Sequence, residues 1–307
     1  MSASGLPFDD IRALLPLMPE ASEQNAAVAR AASPAGLGRL PDIAAFVAAW
    51  QAKASPTCER PVVVVFAASH GYAREAAAAT RATMEQMGAG AGPTAQICAT
   101  YGAGLKVFEL ALDVPVKDIA HYPAMTESEC AATIAFGMEA IAGADLIASD
   151  AAAGGADLAA AALALALYGG QPQDWACDPQ DCEHIARAHA LHAGHSGDPL
   201  ELLRRLGGRE TAAIVGAVLA ARMERVPVVL GGYPALAAAA VLHRLDAAAI
   251  DHCIVADGGA GAQRRLLQRL GKKPLLDMEI ASGQGVGGAL AIGAVQAALA
   301  AVRTPAG

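Results

Sequence analysis

Pro61-Val62-Val63-Val64-Val65-Phe66-Ala67-Ala68-Ser69-His70-Gly71 begins as an unbroken β-branched run and ends in small and polar residues. A strand with one wet face alternates apolar and polar side chains. A continuous apolar run marks a strand covered on both faces, and therefore a parallel sheet between helices. Similar runs recur outward from it at helix-length intervals: Leu105–Leu110, Leu146-Ile147, Val226–Leu230, His252–Ala256 and Leu275–Ile280. Between them lie Ala-rich stretches of helical length, among them Ala156–Leu167, Thr211–Glu224 and Tyr233–Leu245. This alternation predicts an α/β fold with a doubly wound, mainly parallel sheet flanked by helices. Ahead of the first strand, residues 1 to about 56 read as helical and partly irregular. Ile43, Phe46, Val47 and Trp50 stand at helical spacing, and Ser55-Pro56 ends the segment.

The 307 residues suffice for one large core, or for a large domain with a small satellite. Hydrophobic residues make up 54% and aromatics only 4%, so the apolar content is Ala, Val and Leu, which lets helices pack closely on a sheet. The net charge of −8 excludes a broad nucleic-acid footprint, which needs a basic surface to displace phosphate counterions. Asp9, Asp10 and Arg12 interrupt the N-terminus before an apolar signal core could form. The uncharged stretch Gly285 to Val302 is too rich in Gly and Ala for a membrane span and predicts a buried helix. Six cysteines scattered without secretory context read as reduced thiols, so a cytoplasmic location is expected.

In a doubly wound sheet, ligands bind beyond the carboxyl ends of the strands. The segments to inspect are therefore Ala67–Gly71, Ser149–Gly155, Gly231–Tyr233, Asp257–Gly261 and Ser282–Gly288. Four of the five are Gly-rich. A single Gly-rich loop is only a tight turn, but convergence of several favours close backbone approach to a ligand. Gly283, Gly285 and Gly288 spell G-x-G-x-x-G, yet no acidic residue follows about twenty positions on to hold a ribose, so a dinucleotide is not expected. What remains is a helix N-terminus whose amides suit a phosphate or carboxylate.

His70 reads either as a ligand-facing donor or as a structural histidine bonded to a backbone carbonyl. Cys177, Cys182, His184, His189, His192 and His195 crowd a short span, and His189 and His192 stand at i, i+3. The Cys-x4-Cys spacing is wider than common zinc knuckles and no second knuckle exists, which favours a solvated His-rich helix over a metal site. No serine-hydrolase elbow, zincin helix or P-loop lysine motif occurs.

Several segments in order resemble the nicotinate-nucleotide–dimethylbenzimidazole phosphoribosyltransferase family, which makes α-ribazole phosphate for the lower ligand of cobalamin. Gly36-Leu-Gly-Arg-Leu-Pro-Asp42 is similar to that family's Ser-Leu-Gly-Arg-Leu-Glu-Asp, and Val64–Gly71 to its strand ending in Asp-His-Gly. Pro123-Ala-Met-Thr126 matches its Pro-Ala-Met-Thr. The stretch Gly207–Tyr233 resembles the region running from Gly-Gly-x-(Asp/Glu) to Asp-Gly-Phe, and Pro274–Ala291 its C-terminal signature. The resemblance covers nearly the whole chain. It implies a small helical domain over residues 1–56, completed by the C-terminal helix, and a large nucleotide-binding-type α/β domain over residues 57–307. It also implies a homodimer, with a nucleotide and an aromatic base as small-molecule partners, no cofactor and no metal.

The departures fall on the chemistry. The family's Gly-Glu-Gly, whose Glu is the expected catalytic base, is Gly283-Gln284-Gly285 here, and Gln cannot take a proton at neutral pH. The Gly-Glu-Met-Gly-Ile-Gly loop becomes Asp150-Ala151-Ala-Ala-Gly154-Gly155, with Ala151 in the Glu position and Asp150 a candidate substitute base. Ser69 replaces the Asp of Asp-His-Gly, Gly231 replaces the Asp before Gly-Phe, and Asp257-Gly258 falls within the family's His-x-Ser-Ala-Glu region. The substrate-binding set carried over comprises Ser69, His70, Gly71, Ala151, Gly154, Gly155, Gly231, Gly232, Asp257, Gly258, Ser282, Gly283 and Gly285. Two functions are expected from this pattern. One is phosphoribosyl transfer with a relocated base at Asp150 or Asp257; the other is a catalytically inactive paralog that binds a nucleotide or a protein partner.

Overall fold

The computed structural model describes residues 7–302. Its six strands are β1 Pro61–Ala67, β2 Gly104–Glu109, β3 Leu146–Ala151, β4 Val228–Leu230, β5 Cys253–Asp257 and β6 Pro274–Leu276. Helices α1 Pro7–Leu14, α2 Glu23–Ala31 and α3 Leu40–Gln51 precede the sheet. After β1 come α4 Ala77–Gly88 and α5 Gly92–Tyr101, and α6 Glu127–Met138 follows β2. Four helices follow β3: α7 Ala156–Tyr168, α8 Pro179–His192, α9 Pro199–Leu206 and α10 Arg209–Met223. Finally α11 Tyr233–Leu245 follows β4, α12 Gly261–Arg269 follows β5, and α13 Val286–Val302 lies last.

All pairings are parallel, in the order β2-β1-β3-β4-β5-β6. The unbroken apolar run explains why β1 is central. Val64 and Phe66 enter one buried cluster with α6, α7, α10 and α11, while Val63 and Val65 enter the opposite cluster with α3, α5 and α13. Val63, Val64, Val65 and Phe66 are all fully buried, each contributing on the order of 2 kcal/mol of apolar transfer. The uncharged C-terminal stretch is the buried helix expected, with Gly288, Ala291, Ile292 and Val295 in contact with the core. Among the described residues no helix is long and apolar enough to cross a membrane. Two strands are shorter than their sequence runs. Strand β4 starts after Pro227, and β6 stops at Leu276 because the following backbone bends to meet the Asp257 carboxylate.

Chain direction along the sheet reverses between β1 and β3: the chain leaves β1 toward β2 on one side and β3 toward β4 on the other. The loops leaving these adjacent strands therefore diverge to opposite faces and open a crevice at their carboxyl ends. Close helix packing supports the crevice from below. A Cβ on Gly137 would strike the Ala213 carbonyl, and one on Gly216 the Ile134 carbonyl, so α6 and α10 touch backbone to backbone. The Pro123–Thr126 segment serves α6: Thr126 accepts from the Glu129 amide at 3.2 Å, and Glu129 accepts from the Thr126 amide at 2.8 Å. That reciprocal capping box explains these residues without any ligand.

Gly216→Val is expected to destabilise the protein by roughly 1–3 kcal/mol through overpacking against α6. Thr126→Ala should cost about 1 kcal/mol as a lost cap. Chemical denaturation of both variants checks the ranking.

Candidate functional site

Three loops meet at the crevice, and a buried carboxylate joins them. Asp150, at the end of β3, is 1% exposed. Its Oδ1 accepts from the amides of Ala151 at 2.8 Å and Gly232 at 3.1 Å, and its Oδ2 from the Gly285 amide at 2.9 Å. One side chain thus fixes the β3, β4 and Gly283–Gly285 loops together. Burial pushes the Asp150 carboxyl up to about 6, with the three amides working against that rise. Raised above its unfolded value, the group favours folding most when protonated. Its contribution falls as pH rises from about 4 to 6, leaving a penalty on the order of 3 kcal/mol at neutral pH.

Gly231 is required by the same arrangement. A Cβ there would stand 2.7 Å from Asp150 Cγ. In the family pattern, Gly occupies the position of Asp150 and Asp that of Gly231. The resemblance thus pairs two departures, and a side chain at position 231 would compete for the space that Asp150 fills. Asp257 repeats the device at the next loop, accepting from the Gly259, Ile280 and Met278 amides at 2.9, 3.0 and 2.7 Å. Both candidate substitute bases are thus engaged by three amides each, and neither lines the crevice.

The crevice holds a cavity of about 730 Å³. Of the expected site residues, Ala151, Gly154, Gly155, Gly232, Ser282, Gly283 and Gln284 line it. Gln284 adopts a left-handed φ of 57°, between Gly283 at 59° and Gly285 at 85°. For a non-glycine this conformation costs on the order of 1–2 kcal/mol. Two backbone bonds impose it: Gln284 donates to the Ala151 carbonyl at 3.0 Å and accepts from Thr94 Oγ1 at 2.8 Å. The residue itself lines the cavity.

The β1 end lies behind this wall. Ser69 Oγ donates to the Leu112 carbonyl at 2.8 Å, and a Cβ on Gly71 would stand 2.8 Å from the Val116 carbonyl. His70 is fully buried, with Nδ1 2.8 Å from Tyr72 Oη and Nε2 3.2 Å from Glu210 Oε1, an ion-pair distance with a poorly aligned N–H. Burial opposes ionisation of Glu210, but the His70 imidazole beside it holds its carboxyl below the ordinary range. Tyr72 in turn donates to the Gly155 carbonyl at 3.0 Å. The histidine therefore braces the Gly154-Gly155 turn and does not face the cavity. Gly258 lies outside the cavity wall too, bonded to the Leu276 carbonyl at 3.0 Å.

The remaining walls carry residues without a local sequence signal, because distant helices supply them. Thr80 comes from α4, Trp175, Cys177 and the N-cap Asp178 from the segment before α8, and Asp181 from α8 itself. Asp157, in the first turn of α7, completes an acidic group of three, and among the described residues no Lys, Arg or His lines the cavity. Partial desolvation and then Asp181 hold the Asp157 carboxyl above the ordinary range, even though its edge is open to the cavity. The Cys/His span disperses. Cys182 is buried, His184 Nε2 lies 2.9 Å from Asp118, and His192 Nε2 lies 3.0 Å from the Ile119 carbonyl. Among the described residues no group of three or more His, Cys, Asp or Glu could hold a metal ion.

The Asp150 and Gly231 pair makes a double-mutant cycle decisive. Gly231→Asp alone should cost about 3 kcal/mol or more, from two carboxyls in one buried space. Asp150→Gly alone should cost about 1–3 kcal/mol per orphaned amide. The double variant should lose less than the sum, with a coupling energy near the top of the roughly 0.5–3 kcal/mol range for contacting residues. Urea unfolding of the four proteins measures it.

Residues 17–306 match the model of a family described as phosphoribosyltransferase. The nicotinate-nucleotide–dimethylbenzimidazole phosphoribosyltransferase of Methylocella silvestris is 50% identical over 98% of this chain and 94% of its own length. That of Sinorhizobium fredii is 46% identical over 98% and 95%. The crystal structure of the Thermus thermophilus enzyme of that name superposes with a TM-score of 0.82 at 28% identity, covering 91% of this chain and 95% of that one. With this collinear match, a shared six-stranded parallel fold and the Gly-rich loops gathered at its switch point, the chain belongs to the nicotinate-nucleotide–dimethylbenzimidazole phosphoribosyltransferase family.

Proposed function

We propose that the chain binds nicotinate mononucleotide and a benzimidazole-type base in the 730 Å³ cavity and transfers the phosphoribosyl group from one to the other. One observation carries this reading. The Gly-rich ends of β3, β4 and β6 converge on one cavity at the switch point, in a chain half identical, over nearly its full length, to an enzyme of that name. Trp175, Tyr233 and the small side chains of Ala151 and Ala152 offer an apolar wall for a planar base. Among the described residues no basic side chain lines the cavity, so the phosphate is left to the backbone amides of the Gly-rich loops. A homodimer is part of the same reading, to be checked by light scattering.

The transfer needs a proton acceptor, because the benzimidazole N–H must be lost as the other ring nitrogen attacks C1′ of the ribose. Gln284 stands where the family places its Glu and does not accept that proton. A general base contributes on the order of 10²–10⁴-fold, so turnover should be slower than in relatives that keep the Glu. A binding-only role is the second reading. It is favoured by the three-amide engagement of both Asp150 and Asp257, which takes two carboxylates out of the chemistry.

Single-turnover product analysis with nicotinate mononucleotide and dimethylbenzimidazole should show slow formation of α-ribazole phosphate by the wild type. Gln284→Glu should speed it on the order of 10²-fold. Calorimetric binding of the mononucleotide without any product from the wild type would establish the second reading instead, and failure to bind it would sink both.

A further inference from the structure

Of the five titratable groups lining the cavity, two are already occupied. Tyr233 Oη donates to the Trp175 carbonyl at 3.1 Å, and Asp178 caps α8 by accepting from the Gln180 amide at 2.7 Å. Cys177 is exposed beside Gly261. Two carboxylates remain, Asp157 and Asp181, and neither accepts a hydrogen bond or joins an ion pair among the described residues. Asp181 belongs to the α8 wall, where partial desolvation and then Asp178 hold its carboxyl above the ordinary range. Asp157 follows Gly154-Gly155 on the β3 loop, and that loop's Ala151 carbonyl fixes the Gln284 backbone at 3.0 Å. Asp157, in α7 just after the β3 loop, and Gln284, on the loop bonded to that one, thus line one cavity.

We infer that Asp157 is the general base of this chain, taking over the proton-accepting role that Gln284 cannot perform, with Asp181 as the positioning residue that tunes it. The inference rests on the transferase reading above. The Asp157 carboxylate takes the N–H proton of the benzimidazole, and the ring's other nitrogen forms the bond to C1′. The C1′–N bond of the mononucleotide breaks, and its electron pair neutralises the pyridinium as nicotinate leaves. A carboxylate serves best as a base when desolvation and a like charge bring it nearer the working pH. Asp157 has both, with partial desolvation by the cavity walls, though its side chain stays exposed, and then the like charge of Asp181. The titratable groups coupled to it are Asp181 on α8, Tyr233 on α11, Tyr72 after β1 and Asp150 at the end of β3, with Cys177 and Asp178 on the facing wall. An acidic residue in a first helical turn also favours the helix dipole. A residue with only that role would alter stability and leave the pH–rate profile unchanged.

The test is single-turnover transfer from nicotinate mononucleotide to dimethylbenzimidazole across pH, for wild type, Asp157→Asn, Asp157→Glu and Asp181→Asn, with mononucleotide affinity measured on each by calorimetry. Asp157→Asn should slow transfer by about 10²-fold or more, with mononucleotide affinity unchanged and the acid limb of the profile gone. Asp157→Glu should restore part of the rate. Asp181→Asn should move the acid limb to lower pH, because the like charge that lifts Asp157 is removed. Transfer by Asp157→Asn at the wild-type rate overturns the inference and leaves the transferase reading intact. Parallel loss of mononucleotide binding also overturns it, since the residue then serves binding. A wild type that makes no product overturns the transferase reading and the inference with it.

Discussion

The Asp150 carboxylate accepts three amides from three different loops, and the geometry of the crevice depends on it. A charge with 1% exposure is expensive, yet each of its hydrogen bonds satisfies a backbone group that would otherwise be buried alone. The loops after β3 and β4 and the turn before α13 are therefore not independent Gly-rich segments. They form one unit whose spacing is set by a single side chain. Asp257 performs the same task one loop further along and stops β6 short. Two staples of the same design hold the floor of the cavity without entering it.

This construction changes how the lost side chains should be understood. Asp150 fits because Gly231 carries no side chain: a Cβ there would stand 2.7 Å from its Cγ. Gln284 is different: its left-handed backbone is kept by the Ala151 and Thr94 bonds while its side chain has lost basicity. The acidic character of the cavity comes from Asp157, Asp178 and Asp181 on helix N-termini, where backbone dipoles help to hold negative charge.

His70 shows why position after a strand is an incomplete guide. It follows β1, as a ligand contact would, but the topology places α10 beside it, and Glu210 claims its Nε2. Through Tyr72 it supports the Gly155 carbonyl and so shapes the cavity from behind. The Cys/His span of α8 also dissolves into separate partners, because adjacent turns of one helix point its side chains at Asp118, Ile119 and the core in different directions.

The sequence by itself determined the fold class, four of the six strands to within two residues at either end, and the buried nature of the C-terminal helix. These follow from hydrophobic period and run length, which are local properties. It also marked the Gly-rich loops, since a glycine that must admit a close neighbour is visible as a residue type. Only the tertiary structure decided which of the marked residues face a ligand. Asp150, Asp257 and His70 turn inward to amides and to a carboxylate from remote elements, while Asp157 and Asp181, 24 positions apart in the chain, meet across the cavity. Whether a carboxylate is a staple or a free base depends on what lies within 3 Å of it, and in this fold those neighbours come from elements as many as 135 residues away.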